Sequence, residues 1–452
     1  MTIILMSMSL TTSVISRLLK NITYNDTIIK KLILISSGLI AIPTIFDTYT
    51  DGISDILVIL TAYIIPISII SNWNNIKNNN YYELILSIGI ILILNFICQD
   101  MVKFYIYFEL TLIPLYIIIS IYGAKNKVKA SDYILIYTLL SSLFMLISIV
   151  IYLIICKDTE FKIINLVVLS LDLQSILYIC IMIGIAVKTP MMPFHTWLPV
   201  VHSESPLGGS IILAGIILKL AVYGIIRLIL PTLSEASLLY IPLIYIISLI
   251  TLIYTSLITL RQTDLKVIIA YSSISHMMVT IMGLLSNTYI GINGSIILSI
   301  AHGLVSPALF IIVGGILYDR YHNRLIFYYQ GLISYMPLLS FYLIVFSFAN
   351  IAAPLSLNFI GEMVSLVGIC NKSIVIGSIT CISVLLSASY QLKITNRLTG
   401  GIKNIYLYSV KDITYREHII LLSLLLPTII LGISPNYILD ILIDSYNLIY
   451  NV

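Results

Sequence analysis

Long runs of Ile, Leu, Val, Phe and Tyr, separated by short polar punctuation, occupy nearly the whole chain. A helix needs about 20 predominantly apolar residues to cross the hydrocarbon layer of a bilayer. The runs predict fourteen such spans, at 1–19, 32–46, 54–71, 82–99, 101–122, 132–155, 172–194, 209–230, 239–260, 265–286, 293–317, 333–368, 374–392 and 418–447. The second is short, and the twelfth is long and carries Pro354 in its interior. The expected fold class is therefore an all-α polytopic membrane protein.

Composition agrees. Only 10% of the 452 residues are charged, 59% are hydrophobic and the mean hydropathy is +1.06. Soluble domains carry about 25% charged residues, so this chain cannot coat a water-facing surface. The net charge of +4 is small and by itself says nothing about nucleic acid; the lysines and arginines are spread over many short loops, and no nucleic-acid partner is expected. Cys98, Cys156, Cys180, Cys370 and Cys381 fall in or beside apolar segments without a C-x-x-C pair, so neither a metal site nor a disulfide framework is expected. The start, "MTIILMSMSLTTSVISRLLK", reads as a first span rather than a cleaved leader. Heavy use of Ile, Leu, Tyr, Ser and Asn with 2 Trp fits translation from an AT-rich genome such as an organelle's.

The basic residues orient the spans. Loops after odd-numbered spans hold 17 of the 24 Lys and Arg, from Arg17 and Lys20 to Lys411 and Arg416. Opposite loops hold 5: Lys103, Lys157, Lys162, Arg227 and Lys372. Both termini are thus expected on the non-cytoplasmic side, the intermembrane-space side in a mitochondrion. Lys188 and Lys219 are left over, and lie inside spans.

A charge at mid-bilayer costs about 3 kcal/mol or more. Four residues carry that cost: Glu109, Lys188, Lys219 and Glu362. Two acids and two bases suggest pairing. Buried pairs are poor stabilisers, and apolar packing would hold helices together at lower cost, so a conducted ion or proton is the favoured reading over static pairs. His276 in "AYSSISHMM" and His302 in "SIAHGLVSPALF" add groups that exchange protons near neutral pH. In "YSSISH", Ser272 with His276 and Tyr271 with Ser275 share helix faces. His195, His202 and His418 are read as ordinary core or span-edge residues, and His322 as a solvated loop residue.

Two prolines break spans beside these charges. Pro190, in "AVKTPMMPFHTWLP", cannot donate to the carbonyl of Ala186, and Pro354 interrupts "ANIAAPLSLNFIGE" eight residues before Glu362. Freed carbonyls survive in a membrane only where protein or cavity water satisfies them, and broken helices beside charges are the construction of secondary transporters. The broken spans, seven and twelve, lie five spans apart, which is the best sign of an internal repeat. No G-x-G-x-x-G follows a strand, no phosphate-binding loop is present and no Cys or His cluster could hold haem or iron–sulfur, so any redox chemistry belongs to other subunits.

In order, "AVKTPMMPFHTWLP", "HSESP", "GSIILAGIILKLAVYGIIR", "DLKVIIAYSSISHM", "AHGLVSPALFIIVGGILYDRYHNR" and "NFIGE" resemble the chain 4 family of NADH–ubiquinone oxidoreductase, an antiporter-like membrane subunit of respiratory complex I. The likeness covers roughly residues 100–420. It implies fourteen helices with two inverted five-helix repeats. The domains expected from it are 1–100 (helices one to four, the fourth opening the first repeat), 82–230 (first repeat, helices four to eight), 239–392 (second repeat, helices nine to thirteen) and 393–452 (loop and last helix). Glu109 and Lys188 match the family's glutamate–lysine pair at the channel entrance, Lys219 its central lysine, His276 and His302 its polar axis, and Glu362 the acid of the second broken helix. That glutamate favours chain 4 over chains 2 and 5, which usually carry lysine there. Val200 departs from the usual W-L-P-E-A-H or W-L-P-D-A-H, while Glu204 is kept nearby.

The resemblance implies a proton-translocating subunit of an NADH:ubiquinone reductase, in the mitochondrial inner membrane or, alternatively, a bacterial plasma membrane. No cofactor is expected in this chain; NADH, FMN, iron–sulfur clusters and ubiquinone belong to partner subunits. Expected partners are the other membrane and peripheral subunits of complex I, paralogous antiporter-like subunits beside it, and membrane lipids. Three alternatives stay open: a multi-subunit cation/proton antiporter, an energy-converting hydrogenase subunit, and a scaffold without its own channel.

Overall fold

The computed structural model describes residues 26–39, 51–402 apart from 75, 77 and 168, and 411–442. The predicted first span and the end of the fourteenth lie outside them, as do both termini. The helices are α1 Asp26–Leu39, α2 Gly52–Ser71, α3 Asn79–Ile97, α4 Met101–Tyr122, α5 Lys127–Cys156, α6 Leu171–Lys188, α7 Trp197–Glu204 and α8 Leu207–Ile229. They continue with α9 Ser234–Arg261, α10 Leu265–Leu284, α11 Tyr289–Tyr321, α12 Pro337–Asn350, α13 Leu357–Lys372, α14 Ile374–Thr399 and α15 Tyr415–Ile433. Among the described residues, 11 of these are long and apolar enough to cross a membrane, and α12 is a shorter apolar helix. No strand is formed there; only two isolated bridges occur, Asp100 with Glu160 and Asp264 with Leu325.

Three expectations are corrected. The single predicted span 333–368 is two helices, α12 and α13, with the chain turning between Asn350 and Leu357. Arg227, assigned to a loop, lies within α8. Lys266, also assigned to a loop, is the second residue of α10, because the Asp264 carboxylate accepts a hydrogen bond from its backbone N–H and caps the helix there.

The chain forms two compact units. The first comprises Met1–Ile185, Glu204–Thr232 and Ile443–Val452; the second comprises Ala186–Ser203 and Leu233–Leu442. At the centre of the first is α8, almost wholly buried. Tyr223 of α8 donates its hydroxyl to the Phe96 carbonyl of α3 at 3.0 Å. Arg227 reaches Asp51 at 2.5 Å and donates to Ser54 of α2 at 3.0 Å.

The second unit is built on α10 and α11, also almost wholly buried. Lipid tails are as apolar as Leu, so membrane helices associate by close packing rather than by a hydrophobic drive. The α11–α13 seam shows how. A side chain on Gly294 would collide with the backbone of Ser365, and one on Gly361 would lie 2.6 Å from Leu298 Cα, so only glycine lets the two backbones approach this closely. This seam carries Glu362 against the centre of the unit. The outer face of α9, with Leu243, Ile246 and Ile250, and that of α14, with Leu385, are exposed and apolar, as suits lipid-facing surfaces.

Candidate functional site: buried titratable groups

In the first unit Lys219 is completely buried within α8. The turns before and after it, Leu213–Ile217 and Ile225–Ile229, are π-helical. A π-turn bonds each N–H to the carbonyl five residues back and so leaves a main-chain acceptor over. Lys219 Nζ donates to the carbonyl of Ala214 at 2.6 Å. The amine in this apolar helix is thus held by its own backbone. Glu109 sits in α4 one residue before Leu110 and Thr111, where the helix is interrupted, and is half-buried rather than enclosed.

In the second unit, Lys188 is the last residue of α6 and is buried, with 1% of its surface exposed. Pro190 stops the helix, but the Ala186 carbonyl is not left over. It accepts from Met191 N–H at 2.8 Å, and the Val187 carbonyl accepts the Trp197 indole N–H at 2.9 Å. Protein groups satisfy the first break. At the second, Ala352 and Leu355 adopt φ of 64° and 75°, the left-handed region that side chains rarely occupy. Ser356 then caps α13, its hydroxyl accepting from Phe359 N–H at 3.3 Å. Two turns further on lies Glu362.

The structure brings three of the sequence-predicted residues together here. His276 Nδ1 stands 2.8 Å from Glu362 Oε1, with both side chains buried. The His276 and His302 rings are 6.0 Å apart and inclined at 51°. His276 Nε2 has no hydrogen-bond partner among the described residues. It borders a small pocket of about 10 Å³, lined by Ser275, His276, Glu362, Ser383 and Ser387 together with Val279 and Val384. The three serine hydroxyls donate to carbonyls of their own helices, which leaves oxygen lone pairs for the pocket. Such a pocket has room for about one water, with polar partners to hold it. It can pass protons between a carboxylate, an imidazole and water.

The α14 residues were missed by the sequence reading. Their signal was there: Thr380, Ser383, Ser387, Gln391 and Thr395 recur every three or four residues in an otherwise apolar span, and all are buried. The other histidines are placed differently. His195 meets the Tyr254 ring edge-on at 5.6 Å, and His418 Nδ1 lies 3.1 Å from the Tyr342 hydroxyl. His202 is buried and stacked on Phe310, and His322 is exposed on a turn. All five cysteines are free thiols.

The family model described as NADH:quinone oxidoreductase/Mrp antiporter, TM, matches residues 98–387, a range that holds all six candidate residues. NADH-ubiquinone oxidoreductase chain 4 of Candida albicans is 60% identical over 445 residues, covering 97% of this chain and 95% of that one. The chain belongs to the NADH–ubiquinone oxidoreductase chain 4 family. Solved structures share the fold. A chain of respiratory complex I from Thermus thermophilus with bound NADH superposes with a TM-score of 0.89 at 22% identity, covering 99% of both chains. A chain of the Mrp complex from Dietzia sp. DQ12-45-1b gives 0.87 at 16% identity, covering 99% of this chain and 97% of that one. Membership in the chain 4 family therefore rests on the close relative, since complex I and Mrp chains are alike in fold.

Proposed function

We infer that the chain is a proton-translocating membrane subunit of NADH:ubiquinone oxidoreductase, driven by quinone reduction elsewhere in the complex. The observation that carries the reading is the buried His276–Glu362 pair, 2.8 Å apart and bordering a polar pocket inside an apolar helix bundle. Static pairing does not repay the desolvation of such groups, whereas their titration moves protons. In the proposed cycle Lys219 stores a proton, and Lys188 with Glu109 sets the local field that loads and unloads it. The proton leaves by way of His302, His276 and Glu362. Pumping against a membrane potential requires about 2.3 kcal/mol per charge per 100 mV, and moving a unit charge by a few ångströms in a partly dry site supplies energy of that order.

The chain itself holds no redox group in this reading. NADH, FMN, iron–sulfur clusters and ubiquinone are bound by partner subunits, with paralogous antiporter-like subunits and lipids as lateral neighbours. The site of action is the mitochondrial inner membrane, both termini facing the intermembrane space. The decisive measurement is the number of protons pumped per NADH in sealed vesicles, with assembled complex carrying Lys219→Ala or Glu362→Gln. Both should lose pumping while the complex still assembles. Wild-type stoichiometry in both variants would leave only the scaffold reading. The Mrp-like fold supports one rival, a cation/proton antiporter; sodium-dependent transport in proteoliposomes would select it.

A further inference from the structure

Lys266 is a buried amine that the relay above does not use. A lysine at the start of a membrane helix ordinarily sends its ammonium outward to water. Lys266 is only 4% exposed. Its stem runs inward across Gly314 of α11: a methyl group built on Gly314 would collide with Lys266 Cε and lie 3.4 Å from Nζ. Gly314 belongs to the π-helical stretch Ile311–Leu317, so a widened turn and a missing side chain together make the groove that holds the amine.

Polar groups continue from that groove toward the His276–His302 pair, at intervals of one turn along α11. Four residues before Gly314 is Phe310, whose ring is stacked on the buried His202 ring at 4.5 Å and 7°. Four residues before Phe310 is Ser306, whose Oγ lies 3.1 Å from Ser273 Oγ on α10. Four residues before Ser306 is His302. Each α-helical step of four residues is about 6 Å along the axis, so His202, the Ser273–Ser306 pair and His302 follow one another toward the centre of the unit. At the other end, the Asp264 carboxylate caps Lys266 N–H at 2.9 Å and stands 3.7 Å from Arg324 Nε, with both side chains partly exposed. The basic residues Arg261, Arg320 and Arg324 mark this end as the one facing the matrix in the proposed orientation.

We propose that Lys266 is the outermost member of the proton relay in the second unit, taking protons at the Asp264–Arg324 mouth and releasing them inward toward His302. This rests on the proton-translocating reading above. The step is a simple exchange: the ammonium gives one proton to water on the His202 side, and the neutral amine takes one from water at the mouth. A purely structural lysine would require only its charge or its stem. A relay lysine must let go of its proton, which arginine does not do in proteins.

The test uses assembled complex in sealed membrane vesicles, with proton pumping and NADH oxidation followed together. Lys266→Met and Lys266→Arg should each slow pumping at least ~100-fold at wild-type complex content, the low side of the contribution of one proton-transfer group. Gly314→Ala, which displaces the flexible end of the lysine and leaves the helix intact, should act in the same direction. Should Lys266→Met fail to assemble, the arginine and Gly314 variants decide. Full pumping in Lys266→Met, or full restoration by Lys266→Arg, overturns the proposal. Glu362→Gln run alongside separates the two claims. Loss there with normal Lys266 variants removes only this extension, whereas normal pumping in all of them removes the relay itself.

Discussion

Glu362→Gln isolates the charge of the central pair while keeping its shape. Glutamine has the same length and its amide oxygen still accepts from His276 Nδ1–H, so the α11–α13 seam is undisturbed. What disappears is the attraction between a carboxylate and an imidazolium. At the observed 2.8 Å and an effective dielectric of about 20, the gross Coulomb term is about 6 kcal/mol. Desolvation offsets part of it, and removing one partner of a buried pair typically costs about 3–5 kcal/mol. Each 1.4 kcal/mol is about tenfold in population, so a state that needs the paired charges becomes at least about 100-fold rarer. If that state is an obligatory step, pumping falls by a similar factor. The assay pairs a pH-sensitive dye with NADH absorbance in sealed inner-membrane vesicles, normalised to assembled complex on a native gel. Electron transfer from NADH to an artificial acceptor should stay normal if, as proposed, the redox groups lie in partner subunits. Equal proton-to-NADH ratios and equal turnover in the variant and wild type would refute the reasoning, since a 100-fold depleted intermediate cannot support an unchanged rate.

Three further outcomes follow from the geometry. Lys219→Met keeps the length of the side chain but not its proton; it should abolish pumping while leaving the complex assembled, since the freed Ala214 carbonyl costs only about 1–3 kcal/mol. Gly294→Val should lower the yield and thermal stability of the complex by native gel and melting, because its side chain meets the backbone of Ser365 and overpacking of this kind costs ~1–3 kcal/mol. Ser383→Leu fills the pocket beside Glu362 and should slow pumping several-fold with little effect on stability, whereas Ser383→Ala, which leaves the space open, should be milder; equal and normal pumping in both would show that protons do not use this pocket.

Much of the architecture was legible before any coordinates. Lipid offers no hydrogen bonds and no solvation for charge, so each crossing must be a long apolar run and each exception is conspicuous. Lys188, Lys219 and Glu362 stood out for that reason, and all three are buried. Pro190 and Pro354 marked the two breaks beside buried charges, whereas Pro66, Pro242, Pro307 and Pro427 stay inside continuous helices. Glu109 is half-buried, with one carboxylate oxygen enclosed, because enclosure depends on which helices stand beside α4.

Pairing belonged to the tertiary structure. Nothing in "SSISHMM" or "NFIGEMV" says that His276 and Glu362, 86 positions apart, meet at 2.8 Å; glycines on α11 and α13 decide it by letting two backbones close in. The same holds for Ser383 and Ser387, whose side of α14 acquires meaning only from the carboxylate it faces. Lys266 is the clearest case. Its sequence places it at the basic edge of the predicted span 265–286, where its ammonium would face water, and its inward course is set by a missing side chain at Gly314 and a widened turn around it, 48 residues away. Sequence determined which groups are costly in oil, because solvation is a property of each side chain and its run. Only the fold decided which of them share a space, because distance in three dimensions is set by packing between segments that no local pattern encodes.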